Sequence, residues 1–302
     1  MTAQFLEVDD LDPARLTAIL DRAVRWKASP SAVPPLLRGG AVAALFLKPS
    51  ARTRTSVEVA VATLGGHPIY IRAEEVGIDE RETAEDVART LASMCRIIAA
   101  RVYQHDVLVR MAAAADVPVV NLLSDEAHPA QALADLLTIR EHFGSVEGRR
   151  LAYVGDGNNV AASLAFAAAL SGLELVIASP VGYELDPVAL DRARNLGGTI
   201  EVVSDPYDAV RDADAVYTDV WTSMGQEGEA EQRRRAFTGW IVDAALMKAA
   251  ADHAVFLHCL PAHRGDEVAA EVIDGPQSLV WQQAGNRMHA VRALFVDLIE
   301  AQ

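Results

Sequence analysis

Cysteine is nearly missing from this 302-residue chain: Cys95 and Cys259 are too few for a disulfide framework and lack the partners of a zinc cluster, so both read as free thiols. No run of about 20 uninterrupted apolar residues occurs, which excludes a sequence-evident membrane span. The first residues, Met1 to Asp10, lack the basic and apolar regions of a secretory leader. The expected location is therefore the cytoplasm. Positive charge is also scarce, with 27 Lys and Arg against 42 Asp and Glu and a formal charge of −15. That balance argues against a nucleic-acid partner or an anionic membrane surface, both of which are gripped by clustered Lys and Arg. A small anionic ligand would need its own local pocket of arginines. Low-complexity runs and repeats of solenoid period are missing too.

What is present is globular: 51% hydrophobic and 23% charged residues, at a length suited to two domains with a core each. Short apolar runs alternate with helical patterns, the rhythm of parallel α/β structure. After an amphipathic helix over Pro13–Lys27, strands are expected at Val42–Leu47, Pro68–Ile71, Ile97–Val102 and Val117–Leu122. A second series is expected at Arg150–Gly155, Leu173–Ala178, Ile200–Val203, Ala215–Thr218 and Ala254–His258. Gly144, Ser145 and Gly148 break a helix that begins near Pro129, which puts the boundary near Phe143–Arg149. The expected fold is two doubly wound parallel-sheet domains, residues 1–145 and 146–285, linked by that helix. A last helix over Met288–Glu300, in the segment 286–302, has no strand after it and packs back on the first domain.

Ligands of open parallel sheets sit beyond the carboxyl ends of the strands, and polar clusters fall there repeatedly. Ser50-Ala51-Arg52-Thr53-Arg54 lies between a strand and a helix, where hydroxyls, free amides, the helix dipole and two arginines suit a phosphate; an ordinary helix cap is the plainer alternative. It is no P-loop, since the glycines and the Gly-Lys-Ser/Thr ending are missing. His128-Pro129-Ala130-Gln131 sets an imidazole and an amide one helical turn apart, able to polarise a carbonyl or merely to cap a helix. Gly155-Asp156-Gly157-Asn158-Asn159-Val160 resembles a dinucleotide turn, but Val160 occupies the third glycine position and no acidic residue follows the next strand. A nicotinamide cofactor is not expected. Its asparagines can offer amides to a polar ligand or cap the helix. Asp219-Val220-Trp221-Thr222-Ser223-Met224-Gly225 and His258-Cys259-Leu260-Pro261-Ala262 follow two further strands, and the ligand count of the latter argues against a metal. A buried structural thiol remains the other reading of Cys259. Asn286-Arg287-Met288-His289 opens the final helix, where Arg287 can close on an anion or face solvent.

Together these segments resemble the aspartate and ornithine carbamoyltransferase family, whose phosphate motif reads Ser-Thr-Arg-Thr-Arg and whose second motif reads His-Pro-x-Gln. The Asp-x-x-x-Ser-Met-Gly and His-Cys-Leu-Pro segments resemble its ornithine branch. The resemblance runs from about residue 40 to the last helix, in the family's order. It implies a homotrimer that carries a carbamoyl group from carbamoyl phosphate to the side-chain amine of ornithine, with no metal or organic cofactor. By the same resemblance Ser50, Ala51 through its backbone, Arg52, Thr53, Arg101, His128, Gln131 and Arg287 hold carbamoyl phosphate. Cys259 and Leu260 line the reaction centre, and Asn159, Asp219, Ser223 and Met224 hold ornithine; Cys259, Arg101 and His128 carry the chemistry. A transferase for putrescine or an acylated ornithine, or a non-catalytic binding homologue, are the alternatives. Four departures stand out, of which Ala130 fills a variable position and is harmless. Ala51 replaces a Thr, Gly285 stands where the family often has Glu and is expected to loosen the final turn, and Glu74–Ile78 lacks the Gln offered to a neighbouring subunit.

Overall fold

The computed structural model describes residues 3–222 and 227–302, which form two compact units, Met1–Leu137 with Gly285–Gln302 and Thr138–Ala284. In the first unit α1 (Pro13–Ala28) starts where Asp12 accepts the Arg15 amide and Pro13 takes the first turn, a position that needs no N–H donor. Its apolar residues Leu16, Ile19, Leu20 and Ala23 share one stripe and are buried. There follow β1 (Ala41–Phe46), α2 (Ala51–Thr63), β2 (His67–Arg72), α3 (Ala73–Val76) and α4 (Ala84–Ala92), then β3 (Ile97–Arg101), α5 (His105–Ala114), β4 (Val119–Leu123) and α6 (Pro129–Phe143). All pairings are parallel, in the order β2-β1-β3-β4. The central strands read as unbroken apolar runs because helices cover both faces of a parallel sheet. Ala43, Leu45, Ile98, Ala100 and Val119 pack under Val87, Leu108 and Met111 of α4 and α5.

The second unit continues with β5 (Arg150–Val154), α7 (Asn159–Ser171), β6 (Glu174–Ala178), α8 (Pro187–Asn195), β7 (Ile200–Val203), α9 (Pro206–Val210) and β8 (Ala215–Thr218). After them come α10 (Ala230–Ala236), α11 (Ala244–Ala249), β9 (Val255–His258), α12 (Ala270–Ile273) and α13 (Val280–Glu300). Its sheet is parallel in the order β7-β6-β5-β8-β9. Ala152, Val154, Val176, Val216 and Phe256 form the core with Val210, Leu246 and Ile273 of α9, α11 and α12. Both boundaries between the units fall inside helices, α6 and α13.

The strands match the expected runs to within about two residues, and the doubly wound α/β architecture is as expected. One helix differs. α13 starts at Val280 rather than Met288, so Asn286 and Arg287 sit inside it and the helix passes unbroken through Gly285. Its C-terminal half packs on the first unit, as expected: Asp297 pairs with Arg15 at 2.7 Å, Glu300 pairs with Arg22 at 2.7 Å, and the Arg292 guanidinium lies over Trp26. Among the described residues no helix is long and apolar enough to cross a membrane.

Candidate active site

Each sheet changes winding direction once, between β1 and β3 in the first unit and between β5 and β8 in the second. Loops leaving neighbouring strands at such a point diverge to opposite faces and open a crevice.

At the first switch point β1 delivers α2 and β3 delivers Arg101, whose Cα is in register with Phe46. Ser50 caps α2: its Oγ accepts the Thr53 amide at 3.3 Å. The helix's own ladder begins with Arg54, whose amide donates to Ser50 O, so the Ala51 and Arg52 amides remain at the positive end of the helix for an anion. Thr53 is buried, and its Oγ1 lies 3.0 Å from Ser50 Oγ and accepts from Arg101 Nη1 at 3.4 Å and from Arg287 Nη2. Arg101 and Arg287 are themselves almost fully buried. Two guanidinium groups are thus drawn to one hydroxyl, an arrangement suited to an anion with several oxygens. Arg52 is exposed on the first turn of α2, and Arg54 turns away to pair with Glu58 and stack on Tyr70.

His128 directly precedes α6 and is buried; burial first, then the charges of Arg287 and Arg101, holds its pKa well below the ordinary 6.5. The imidazole is therefore neutral at pH 7, able to donate one N–H to a carbonyl oxygen without adding charge. Gln131, three residues on and fully buried, donates from Nε2 to Asp135 Oδ1 at 2.7 Å.

At the second switch point β5 is followed by Gly155-Asp156-Gly157-Asn158. Gly157 has no room for a side chain, since a Cβ there would stand 2.2 Å from Leu185 N. This close approach accounts for the glycine without any dinucleotide. Asn158 caps α7 through Oδ1, while its Nδ2 crosses to Asp219 Oδ2 at 2.9 Å. Asp219 follows β8 and is buried; its Oδ1 accepts the Val220 amide at 2.8 Å and Cys259 Sγ at 2.9 Å. Asn159 is the first residue of α7 and is half-buried. Ser223 and Met224 lie outside the described residues.

Cys259 follows β9. Its neighbour His258 accepts the Leu260 amide at Nδ1, at 2.9 Å, so the ring proton sits on Nε2, 3.3 Å from Glu267 Oε1. Glu267 also accepts the His263 amide. These bonds hold Leu260 at φ +61°, a left-handed conformation that costs a branched residue roughly 1–2 kcal/mol. Asp219, His258 and Cys259 bring donor atoms within 4.8 Å of one another. The His258 nitrogens are engaged with the Leu260 amide and Glu267, and within the trio the thiol donates to Asp219.

Beside it, Arg233 donates to Asp156 Oδ2 at 2.8 Å and to Trp221 O at 3.0 Å, with its guanidinium over the Tyr183 ring. Burial outweighs Arg233 and raises the Asp156 pKa to about 6. Asp135, Glu267 and Arg233 were not picked out from sequence. Asn158 was legible as one of two helix-start asparagines, and Asp135 as the residue four after Gln131 on a helix. Nothing local marks Glu267, which meets His258 only by the return of a loop.

The geometry defines a doubly wound α/β protein with an anion cradle at one switch point and a carboxylate, thiol and amide set at the other. Residues 3–141 match the model of the aspartate/ornithine carbamoyltransferase carbamoyl-P binding domain, and residues 147–298 match that of the Asp/Orn binding domain. The chain belongs to the aspartate/ornithine carbamoyltransferase family. A relative from Acidothermus cellulolyticus named ornithine carbamoyltransferase is 51% identical over 305 residues, covering 100% of this chain and 98% of its own. One from Pyrococcus furiosus, named as anabolic, is 47% identical over 95% of this chain and 93% of its own. The solved structure of ornithine carbamoyltransferase from Pyrococcus furiosus superposes with a TM-score of 0.93 at 46% identity, covering 97% of this chain and 96% of that one.

Proposed function

We propose that this chain transfers the carbamoyl group of carbamoyl phosphate to the side-chain amine of L-ornithine, giving L-citrulline and phosphate in the direction of arginine biosynthesis. The observation that carries this reading is the likeness over the whole chain, at 51% identity, to a protein named for that reaction. Ser50, Arg52, Thr53 and the Ala51 amide take the phosphate, and Arg101, His128, Gln131 and Arg287 take the rest of carbamoyl phosphate. Asp219, Asn159, Ser223 and Met224 hold ornithine, with Cys259 and Leu260 lining the reaction centre. An ammonium has no lone pair, so ornithine must react as the neutral amine; Cys259 beside Asp219 receives and orients that nitrogen. The N–C bond forms as the carbonyl oxygen gains charge, which Arg101, neutral His128 and Thr53 stabilise. The C–O bond to phosphate then breaks, and the proton shed by nitrogen leaves with the phosphate. Carbamoyl phosphate is already activated, so Cys259 positions and handles a proton rather than forming a covalent intermediate.

The working form is a cytoplasmic homotrimer. The test is citrulline formation by the purified chain with carbamoyl phosphate and ornithine, putrescine, N-acetylornithine or aspartate. Product with ornithine alone is expected, and Arg52→Ala abolishes saturable carbamoyl-phosphate binding while the protein stays folded. Turnover of a different amine replaces the substrate, and binding without turnover of any amine replaces the reaction with a binding role.

A further inference from the structure

Gln131 and Asp135 stand one turn apart on α6, both with no solvent exposure. A carboxylate oxygen accepts and has no hydrogen to give, so the 2.7 Å contact fixes the amide with Nε2 toward Asp135 and Oε1 away from it. Oε1 is buried and receives no hydrogen bond among the described residues. A desolvated acceptor without a donor is uncommon inside proteins and calls for an N–H or O–H from a ligand. Gln131 lies in the first turn of α6, where its backbone N–H donates to His128 O at 3.0 Å.

We infer that Asp135 is a specificity-determining positioning residue, which locks the Gln131 amide so that the cradle selects an acyl phosphate bearing an N–H over its methyl counterpart. The inference rests on the carbamoyl-phosphate reading above. Carbamoyl phosphate and acetyl phosphate share a phosphate and a carbonyl and are close in size; one ends in NH₂, the other in CH₃. The NH₂ group satisfies Oε1, whereas the methyl group leaves it stranded. A site built to hydrogen-bond one group rejects the analogue without it far more strongly than a difference in size allows. An amide at position 135 both donates and accepts, so with Asp135→Asn the Gln131 amide is free to turn and present NH₂ to the ligand.

The experiment compares wild type with Asp135→Asn at saturating ornithine, measuring KM for carbamoyl phosphate and Ki for acetyl phosphate and for inorganic phosphate. In the variant KM for carbamoyl phosphate is expected to rise at least about tenfold, while both Ki values stay within about twofold. Equal weakening of all three ligands would reduce Asp135 to a structural part and overturn the inference, as would an unchanged KM. If Asp135→Asn does not fold, Gln131→Met removes the same acceptor and must produce the same selective loss; retained discrimination overturns the inference. Wild-type protein that makes no citrulline defeats the proposed function, whereas wild type that turns over carbamoyl phosphate yet binds acetyl phosphate equally well defeats this inference alone.

Discussion

His128 and Cys259 show how single side chains are tuned by what they touch. His128 binds fewer protons folded than unfolded at mildly acidic pH, because burial and two arginines depress its pKa below 6.5. Its contribution to stability is therefore complete above about pH 6.5 and is lost as pH falls below that toward the folded pKa. Thermal unfolding at pH 8, 6.5 and 5 should show a fall in Tm on the acid side that is shallower in His128→Gln; identical slopes would assign the effect to another group. Cys259→Ala removes a donor to the Asp219 carboxylate. A hydrogen bond to a charged group is worth about 1.5–3 kcal/mol, so kcat/KM for ornithine should drop roughly ten- to hundredfold. Carbamoyl-phosphate affinity, measured by calorimetry, should hardly change.

Short helices and turns owe their form to the partners they find. Arg233 on α10 joins the turn after β5, through Asp156, to the segment after β8, through the Trp221 carbonyl. Arg233→Met leaves a buried carboxylate alone, and a loss of about 3–5 kcal/mol is expected at pH 8. Asp156 already has its folded pKa raised from 3.8 to about 6, so its contribution is present below 3.8 and lost as pH rises through about 6. Without Arg233 the rise is larger, and the variant's deficit in urea unfolding should shrink between pH 8 and pH 5. In α13, Gly285 is exposed inside the helix with nothing within 4 Å of a Cβ. Gly285→Ala should stabilise by about 0.5–1 kcal/mol, read from the same unfolding curves. The sequence suggested a helix start at Met288 because Gly285 and Asn286 are weak helix formers; tertiary packing of α13 overrides that preference. α9 to α12, of four to seven residues each, escaped the sequence for the same reason, since helices so short have too little intrinsic stability to leave a pattern.

For the whole molecule, the homotrimer proposed above should sediment as a species of three 32.4 kDa chains, and a monomer at working concentration would refute it. The alternation of apolar runs and helical stripes determined the parallel α/β class and put the polar clusters after strand ends, because period and capping are set by residues a few positions apart. Ser50 as a helix cap and His128 at the head of α6 were legible on that local ground. Only the tertiary structure decided which clusters meet. The strand orders β2-β1-β3-β4 and β7-β6-β5-β8-β9 bring Arg101 to Thr53, and Asn158 and Cys259 to Asp219. Those pairs are separated by 40 to 61 positions, a distance over which chain-local propensity carries no information. Glu267 reached His258 in the same way, by the path of a loop whose course depends on what it packs against.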